Sequence, residues 1–412
     1  MEPDIPFALP FMGREEEDAV LRVLRSGWLT TGQEALAFET EFAEFLETPG
    51  RPPLTALAVN SATSGLHLAL EACGAGPGDV VLVPSYTFTS TAEVVRYLGA
   101  DVAFVDTGPG SFQIDPPALE RTLERLEQGL PAYPPRNGAG EGFGPRGKPR
   151  AVIPVHYGGL PCDMERIMAA ARRYGVRVIE DAAHAFPSRL SGGEWAGTIG
   201  DIGVFSFYAT KTLTTGEGGM AVSRDARLCR RIAVMRSHGI DRTVWNRYTD
   251  KKASWYYEVV EPGFKYNLPD ILAAVGRVQL TRALALLKRR EEIAARYDAA
   301  FRNDRRLRLP PSGPGDARHL YPLRLRPEIA GISRDAFIRA LQDRGIGVSV
   351  HFIPLHIMPY YKKRYALEAK DFPESMKNFE QVISLPIWPG MQDAQVDRVI
   401  EMIKLILIEP GR

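Results

Sequence analysis

The chain has 412 residues, of which 45% are hydrophobic and 25% are charged, as in ordinary soluble globular proteins. Its formal net charge is +1, which argues against a broad nucleic-acid surface, because binding phosphates needs clustered lysine and arginine. There is no apolar run long enough to span a membrane, and the N-terminus does not look like a secretory signal. Three widely spaced cysteines predict small core residues in a reducing compartment. We therefore expect a cytoplasmic protein without a membrane partner.

Three amphipathic helices are predicted before the first predicted strand. The first covers residues 14–26 behind an acidic first turn and ends at Gly27. The second lies in the run EALAFETEFAEFLE, where three phenylalanines recur at helical spacing. The third covers about 63–73 and ends at Gly74.

Short runs rich in valine and isoleucine then alternate with helical stretches. The predicted strands are 80–84, 102–106, 151–155 and 176–181, and the predicted helices are 89–98, 116–127 and 163–175. Continuous apolar runs indicate strands buried on both faces, and the alternation indicates a largely parallel sheet covered by helices. Two further strands, 202–207 and 219–223, follow one another with no helix between them. Part of the sheet is therefore expected to be antiparallel.

The remainder of the chain predicts an insertion, a connecting helix and a second domain. Residues 129–150 are rich in proline and glycine, which is typical of a surface insertion or mobile loop. One long helix is predicted over 269–300, and a helix at 333–344 lies in a smaller α+β region. The predicted division is a large domain at 1–270, a connecting helix at 271–304 and a small domain at 305–412.

Lys211 lies between the apolar run FSF and a glycine-rich turn, with no acidic residue within five positions. A buried lysine loses hydration, so its pKa falls, and this suits a nucleophilic amine; the alternative is a solvated lysine at a strand end. Asp181 closes a buried strand, where it could bind a ligand or cap a helix. Together the two residues suit pyridoxal phosphate, whose aldehyde forms a Schiff base with lysine and whose ring nitrogen pairs with a carboxylate.

The run NSATSG at 60–65 opens a helix, and the free N–H groups there could bind a phosphate. Simple capping by Ser61 or Thr63 is the alternative. Ser206 could add one hydroxyl to the same anion, or it could be an ordinary strand serine.

Aromatic residues and histidines follow other strand ends. Phe88 could stack on a planar cofactor ring and His184 could pack over one, although core packing is the commoner use of both residue types. The glycines near 216–219 lack the context of a dinucleotide-binding loop. His351 and His356 are separated by a proline that breaks a helix, so no metal site is predicted.

Ten segments in this order resemble the DegT/DnrJ/EryC1 family of pyridoxal phosphate-dependent nucleotide-sugar aminotransferases, from about residue 5 to residue 405. The segments are LRSGWLTTG, NSATSGLHLAL, PSYTFTSTAE, PVHYGGLPCDM, VIEDAAHA, FSFYATKTLTTGEGGM, RSHG, GFKYNLPDILAA, VHFIPLH and SLPIWPG. The branch that looks most similar is that of the UDP-4-amino-4-deoxy-L-arabinose synthases. The resemblance implies the aspartate-aminotransferase-like α/β fold of fold type I. In that fold a mostly parallel, mixed seven-stranded sheet lies between helices, with a smaller C-terminal α+β domain.

The resemblance also implies roles for individual residues. Lys211 would carry the cofactor as a Schiff base and shuttle protons, and Asp181 would pair with the ring nitrogen. The other implied cofactor contacts are Ala62, Thr63, Phe88, His184, Ser206 and, reaching the other subunit's phosphate, Lys265 or Asn267. The implied substrate contacts are Trp28, Thr30, Tyr208, Arg236, His351 and His356. The insertion at 129–150 departs from the family pattern and has no implied role.

The implied reaction moves the amino group of glutamate to a nucleotide-linked keto sugar, with 2-oxoglutarate as the other product. The keto group is expected at C4, the enzyme is expected to be a homodimer with shared sites, and the product would serve polysaccharide or lipopolysaccharide synthesis. The alternatives are a 3-keto sugar, a non-sugar ketone such as an aminocyclitol or aminohydroxybenzoate precursor, and a regulatory protein on the same fold. A sugar dehydratase of the family would have histidine at position 211, where this chain has lysine.

Overall fold

The computed structural model describes residues 4–241 and 256–408. The larger part is built on a mixed sheet of seven strands. These are β1 (Thr55–Val59), β2 (Asp79–Pro84), β3 (Asp101–Val105), β4 (Lys148–Val152), β5 (Arg177–Asp181), β6 (Ile202–Ser206) and β7 (Gly219–Ser223). The strand order is β1-β7-β6-β5-β4-β2-β3. β7 pairs antiparallel with both of its neighbours, whereas the other four pairs are parallel. The expected seven-stranded, mostly parallel mixed sheet is confirmed.

Seven helices of the described chain accompany this sheet. They are α1 (Arg14–Ser26), α2 (Gln33–Phe45), α3 (Ala62–Ala72), α4 (Ser90–Tyr97), α5 (Pro116–Glu127), α6 (Met164–Tyr174) and α7 (Ala226–Met235). Asp115, Asp163 and Asp225 each accept a backbone N–H bond at a helix start, which satisfies donors that have no partner within the helix. α1 ends where Gly27 takes the left-handed conformation, at a φ of 73°. Short polar caps and a glycine stop therefore set these helix ends.

The predicted long helix at 269–300 is wrong. The structure has two helices, α8 (Asp270–Thr281) and α9 (Ala283–Phe301), separated at Arg282. Arg282 leaves the helical conformation, with φ −104° and ψ 1°, and its side chain forms ion pairs with acidic residues at the start of α1. The break lets α8 pack on α1 and α2, while α9 contributes to the core of the small domain.

The smaller part is an α+β unit, as expected. Its antiparallel sheet has the order β10-β9-β8. The strands are β8 (Leu307–Arg308), β9 (Tyr321–Leu325) and β10 (Val382–Leu385). The helices that follow α9 are α10 (Pro327–Ala330), α11 (Arg334–Gln342), α12 (Pro359–Tyr365), α13 (Pro373–Gln381) and α14 (Asp393–Ile408).

One segment of the expected small domain packs elsewhere. Between 355 and 372, five apolar side chains enter the hydrophobic core of the large domain: Leu355, Tyr361, Tyr365, Leu367 and Phe372. By its packing, this returning segment belongs to the large domain, although the division at residue 305 assigned it to the small one. The chain therefore passes from the small domain to the large domain just after His351.

The insertion predicted at 129–150 is shorter than expected, because its last three residues belong to β4; the rest is held on the protein surface. Tyr133 is buried and pairs with Phe143 in an antiparallel bridge. Arg125 of α5 donates hydrogen bonds to the carbonyl oxygens of Pro131 and Glu141, at 2.9 and 2.6 Å. In the two described ranges, no helix combines the length and the apolar character needed to cross a membrane.

Candidate active site

A cavity of about 470 Å³ lies where the carboxyl ends of β5 and β6 meet the start of α3. The carboxyl edge of a parallel sheet is the usual position of ligand sites in open α/β folds. Small-domain residues and the N-terminal residues Phe7 and Ala8 close the other side. The predicted site residues that line the cavity are Ala62, Thr63, Phe88, Asp181, His184, Ser206, Tyr208, Lys211 and His351.

Lys211 projects into this cavity from the turn after β6, where its backbone N–H donates to the carbonyl of Tyr208 at 2.9 Å. Removal from bulk water lowers the pKa of its amine from 10.5 to about 8, and the negative charge of Asp181 acts in the opposite direction. An amine with this pKa is uncharged in a useful fraction of molecules near neutral pH. Such an amine can act as a nucleophile and as a general base.

Asp181 is the buried acidic group of this pair. Its carboxylate accepts a hydrogen bond from the Thr91 hydroxyl at 2.8 Å and another from the Ala183 N–H at 3.1 Å. Burial raises its pKa, and these hydrogen bonds and the Lys211 charge oppose that rise. A buried carboxylate that keeps free acceptor capacity is suited to hold a proton on a ring nitrogen.

The start of α3 forms an anion site on the same cavity. The Ser61 hydroxyl caps the helix by accepting the Ser64 N–H at 3.1 Å, which leaves the amides of Ala62 and Thr63 at the cavity wall. A Cβ at position 219 would lie 2.7 Å from the Ala62 nitrogen. Only glycine therefore lets β7 run this close to the helix start.

Two histidines stand side by side in the wall. The Nδ1 atom of His184 accepts the Gly158 N–H at 3.2 Å, so its hydrogen lies on Nε2. The ring of His319 lies 4.4 Å from that of His184, and its buried Nδ1 has no hydrogen-bond partner. Burial lowers the pKa of both, and the Lys211 charge adds to the effect. Sequence reasoning missed His319, because HLYPLRLR looked only like the start of a strand.

His351 enters the cavity from the small-domain side. Its Nδ1 lies 2.9 Å from the Ser384 hydroxyl, and its carbonyl accepts hydrogen bonds from the hydroxyls of Tyr86 and Tyr157. Burial lowers the pKa of its imidazole to about 4. The next residue, Phe352, stacks near His184 at 5.8 Å between ring centroids. His351 and Phe352 thus form part of the cavity wall, and the segment 351–354 that contains them is called the cavity loop.

Two predicted substrate contacts are corrected. Arg236 does not line the cavity, because its buried guanidinium donates to Glu39 at 2.5 Å and to the Ala58 carbonyl at 2.7 Å. Its charge is already neutralised inside the protein. His356 is fully buried behind the wall, with its Nδ1 2.5 Å from the Ser85 hydroxyl. Both residues are structural in this protomer.

Four other predicted residues form a separate group outside the cavity lining. The indole N–H of Trp28 donates to the Thr31 carbonyl at 3.3 Å. Asn267 donates to the Thr31 hydroxyl at 2.6 Å and accepts a hydrogen bond from Lys265. The carbonyl of Thr30 accepts the Asp270 N–H at the start of α8. None of the four lines the cavity. For Trp28 and Thr30 this corrects the predicted substrate contacts, whereas the role of Lys265 or Asn267 at a partner's site stays a prediction.

The donor set fits one cofactor closely. A partly neutral amine, a buried carboxylate and a helix start for a dianion suit pyridoxal phosphate. Across residues 4–241 and 256–408, no group of three or more histidine, cysteine or acidic side chains could hold a metal ion. With a seven-stranded mixed sheet and a second domain over its carboxyl edge, fold and site define a pyridoxal phosphate enzyme of fold type I.

Comparison with known proteins gives the family. Residues 10–404 match the DegT/DnrJ/EryC1/StrS aminotransferase family. The chain is 43% identical over 407 residues to the spore coat polysaccharide biosynthesis protein SpsC of Bacillus subtilis (strain 168), covering 98% of this chain and 97% of SpsC. The chain therefore belongs to the DegT/DnrJ/EryC1/StrS family and is a pyridoxal phosphate-dependent aminotransferase.

Solved structures agree with this assignment. The putative sugar aminotransferase Spr1654 from Streptococcus pneumoniae, in its PLP form, is 30% identical with a TM-score of 0.83, over 98% of this chain and 99% of that chain. The same protein is also known in a PMP form. Helicobacter pylori PseC, an aminotransferase involved in the biosynthesis of pseudoaminic acid, is 25% identical with a TM-score of 0.83, at the same coverage.

Proposed function

We propose that the protein transfers the amino group of L-glutamate to a nucleotide-linked keto sugar whose keto group is at C4. The observation that carries the proposal is the cavity in which Lys211, Asp181 and the start of α3 converge. The acceptor class is supported by the relatives, which include a polysaccharide biosynthesis protein, a putative sugar aminotransferase and an enzyme of pseudoaminic acid biosynthesis. The 3-keto sugars and non-sugar ketones are the competing acceptors.

Different residues of this chain would bind different parts of the cofactor. Lys211 would hold the cofactor through its amine, and Asp181 would hold the proton on the ring nitrogen. The amides of Ala62 and Thr63, with the Ser206 hydroxyl, would bind the phosphate, and Phe88 would cover one face of the ring. Phe88 is 56% exposed, which leaves its ring available for stacking.

Proton transfer is the task of Lys211. When bound, pyridoxal phosphate accepts the amino group and withdraws electrons from the neighbouring carbon. Once the donor amine has displaced it from the cofactor, Lys211 would take a proton from the donor carbon that bears the nitrogen and pass it to the cofactor. In the second half-reaction it would take a proton back from the cofactor and deliver it to the former keto carbon of the acceptor. A pKa of about 8 allows the same amine to act as base and as acid near neutral pH. His184 lines the cavity, and because its Nδ1 accepts the Gly158 N–H, it would offer its Nε2 hydrogen to a bound group.

Substrate binding would use groups on both sides of the cavity. Tyr208 and His351 line it and can contact the sugar or the donor carboxylate. We propose a homodimer in which Lys265 or Asn267 reaches the phosphate at the partner's site.

The test is a direct transfer assay on the holoenzyme. The enzyme is incubated with ¹⁵N-glutamate and a panel of UDP-, TDP- and GDP-linked 4-keto and 3-keto sugars, and the amine product is identified by mass spectrometry and NMR. We expect label in a 4-amino sugar, and none with Lys211→Met as the matched control. Transfer only to 3-keto sugars or only to free cyclic ketones would contradict the proposed acceptor. Sedimentation velocity of the same samples tests the dimer.

A further inference from the structure

The insertion at 129–150 reaches across the protein surface to the returning segment 355–372. The guanidinium of Arg136 donates two hydrogen bonds to the Asp371 carboxylate, at 2.9 and 2.6 Å. It also donates to the Ala366 carbonyl at 2.6 Å and pairs with Glu368 at 3.2 Å. One arginine of the insertion thus contacts three residues of the returning segment.

Several contacts fix the orientation of the Arg136 side chain at the protein surface. Its guanidinium lies 3.9 Å from the centre of the Phe143 ring, so the insertion supports one face of it. Both carboxylate oxygens of Asp371 accept hydrogen bonds from the Arg136 guanidinium, and one of them also accepts the Glu368 N–H at 2.8 Å. A bidentate arginine–carboxylate pair fixes orientation as well as distance.

The insertion and the returning segment also share the open edge of the main sheet. β3 is the outer strand, and its backbone N–H groups at Val102 and Phe104 find acceptors outside the sheet. The hydroxyl of Tyr365 accepts the first at 3.0 Å, and the hydroxyl of Tyr133 accepts the second at 2.6 Å. The backbone N–H groups on the open side of an edge strand have no partner within the sheet, so other segments must supply acceptors for them. The two segments therefore dock side by side on one edge.

A short series of contacts connects the returning segment 355–372 with the cavity wall. Phe372 lies against the ring of His356, with 4.5 Å between centroids. Nδ1 of His356 lies 2.5 Å from the Ser85 hydroxyl, and the Ser85 carbonyl accepts the Leu355 N–H at 2.8 Å. Leu355 directly follows the cavity loop 351–354.

We propose that Arg136 is a positioning residue: through Asp371 and the returning segment it holds the cavity loop 351–354 in the geometry that binds the acceptor. The insertion therefore serves substrate binding without touching the substrate. Loss of the Arg136 contact should loosen the loop and leave the reacting groups in place. The kinetic part of the test rests on the proposed sugar acceptor, whereas the structural part does not.

The experiment compares holoenzyme variants Arg136→Met, Arg136→Lys and Asp371→Asn with the control Arg146→Met. Arg146 lies in the same insertion and pairs with Glu141 of that insertion. We expect the KM for the keto sugar to rise between about 2- and 30-fold in Arg136→Met and Asp371→Asn, the range of couplings carried through packed contacts. We expect kcat to change less than KM, a smaller rise in Arg136→Lys, and no change in the control.

Two further measurements separate positioning from general destabilisation. Hydrogen exchange should speed up at Leu355 and across 355–372, while exchange in 202–223 stays as in wild type. The double variant Arg136→Met/Asp371→Asn should raise the KM by less than the two single effects combined, because both substitutions remove the same Arg136–Asp371 pair. Unchanged exchange and KM would overturn the proposal, even with a lower melting temperature. If Arg136→Met does not fold, Arg136→Lys and Asp371→Asn decide by the same criteria.

The failure of the proposed acceptor gives a different result. A wild-type enzyme that aminates no nucleotide keto sugar refutes the proposed function, and exchange at 351–372 then decides the role of Arg136. Faster exchange there in Arg136→Met and Asp371→Asn, but not in Arg146→Met, supports the role. Equal exchange in all variants refutes it.

Discussion

The pKa of Lys211 predicts how fast the cofactor-free protein captures pyridoxal phosphate. With a pKa of about 8, about a tenth of the amines are uncharged at pH 7, compared with about one in 3,000 for an amine at 10.5. The neutral amine is the reactive form, so we expect faster capture at pH 7 than by an ordinary lysine. The acceleration is at most about 300-fold, because a less basic amine is also a weaker nucleophile.

Stopped-flow mixing of apoprotein with the cofactor between pH 7 and 10 measures this directly, through the visible absorbance of the lysine-bound form. We expect the rate to rise with pH up to about 8 and then to level off. A rate that keeps rising past pH 9.5 would show an ordinary amine and refute the argument. A visible band of the same size in Lys211→Met would show that another amine carries the cofactor.

The same pKa shift has a consequence for stability. The folded pKa of Lys211 lies below the unfolded value, so the unfolded chain binds more protons between pH 8 and 10.5, and stability rises with pH across that window. Below pH 8 the charged amine costs the apoprotein at most about 3 kcal/mol, and less where water in the cavity screens it. Lys211→Met apoprotein should be more stable at pH 7, and urea unfolding should show the advantage disappearing toward pH 10.5.

Three other substitutions test the site and its surroundings. Asp181→Asn should lower turnover by at least about 100-fold, the scale for losing one preorganised polar group, and weaken cofactor binding; steady-state kinetics with a wild-type rate would refute its role. Gly219→Ala should weaken cofactor binding in a spectroscopic titration, because the added carbon would press on the Ala62 amide; an unchanged affinity would contradict an anion site there. Glu39→Gln should destabilise the protein by about 3–5 kcal/mol in urea by leaving the buried Arg236 charge unpaired. If Glu39→Gln instead raised the KM for the keto sugar without lowering stability, Arg236 would be a substrate contact and the correction made above would be wrong.

Much of the large domain could be predicted because its strands and helix ends carry local signals. The strand at 80–84 is a continuous apolar run, and the structure buries all of β2. A strand was predicted at 151–155, but the structure places it at 148–152. Its first residues lie next to proline and glycine, and these made them look like part of the preceding loop. β1 and α7 were not predicted, because TALAV is short and the capping residue Asp225 before ARLCRRIAVM was not recognised as a helix start.

Other features depend on contacts that are distant in sequence. The break at Arg282 has no proline or glycine, and it is stabilised by acidic residues of α1. Arg236 looked like a free cation because its partner Glu39 is 197 positions away. Lys211 and Asp181 could be found, since a strand end followed by a reactive residue type is a local pattern. His319 could not, because only folding brings it beside His184.

The return of residues 355–372 to the large domain decides how this protein can be recombined with its relatives. A fragment that ends near residue 304 would lack the five apolar side chains that this segment adds to the large-domain core. It would also leave the Val102 N–H of the sheet edge without the Tyr365 hydroxyl. A chimera that exchanges the small domain must therefore transplant two separate stretches and keep 355–372 from the host. The large domain, which binds the cofactor, is therefore encoded by two separate stretches of the gene, although its residues form one continuous core.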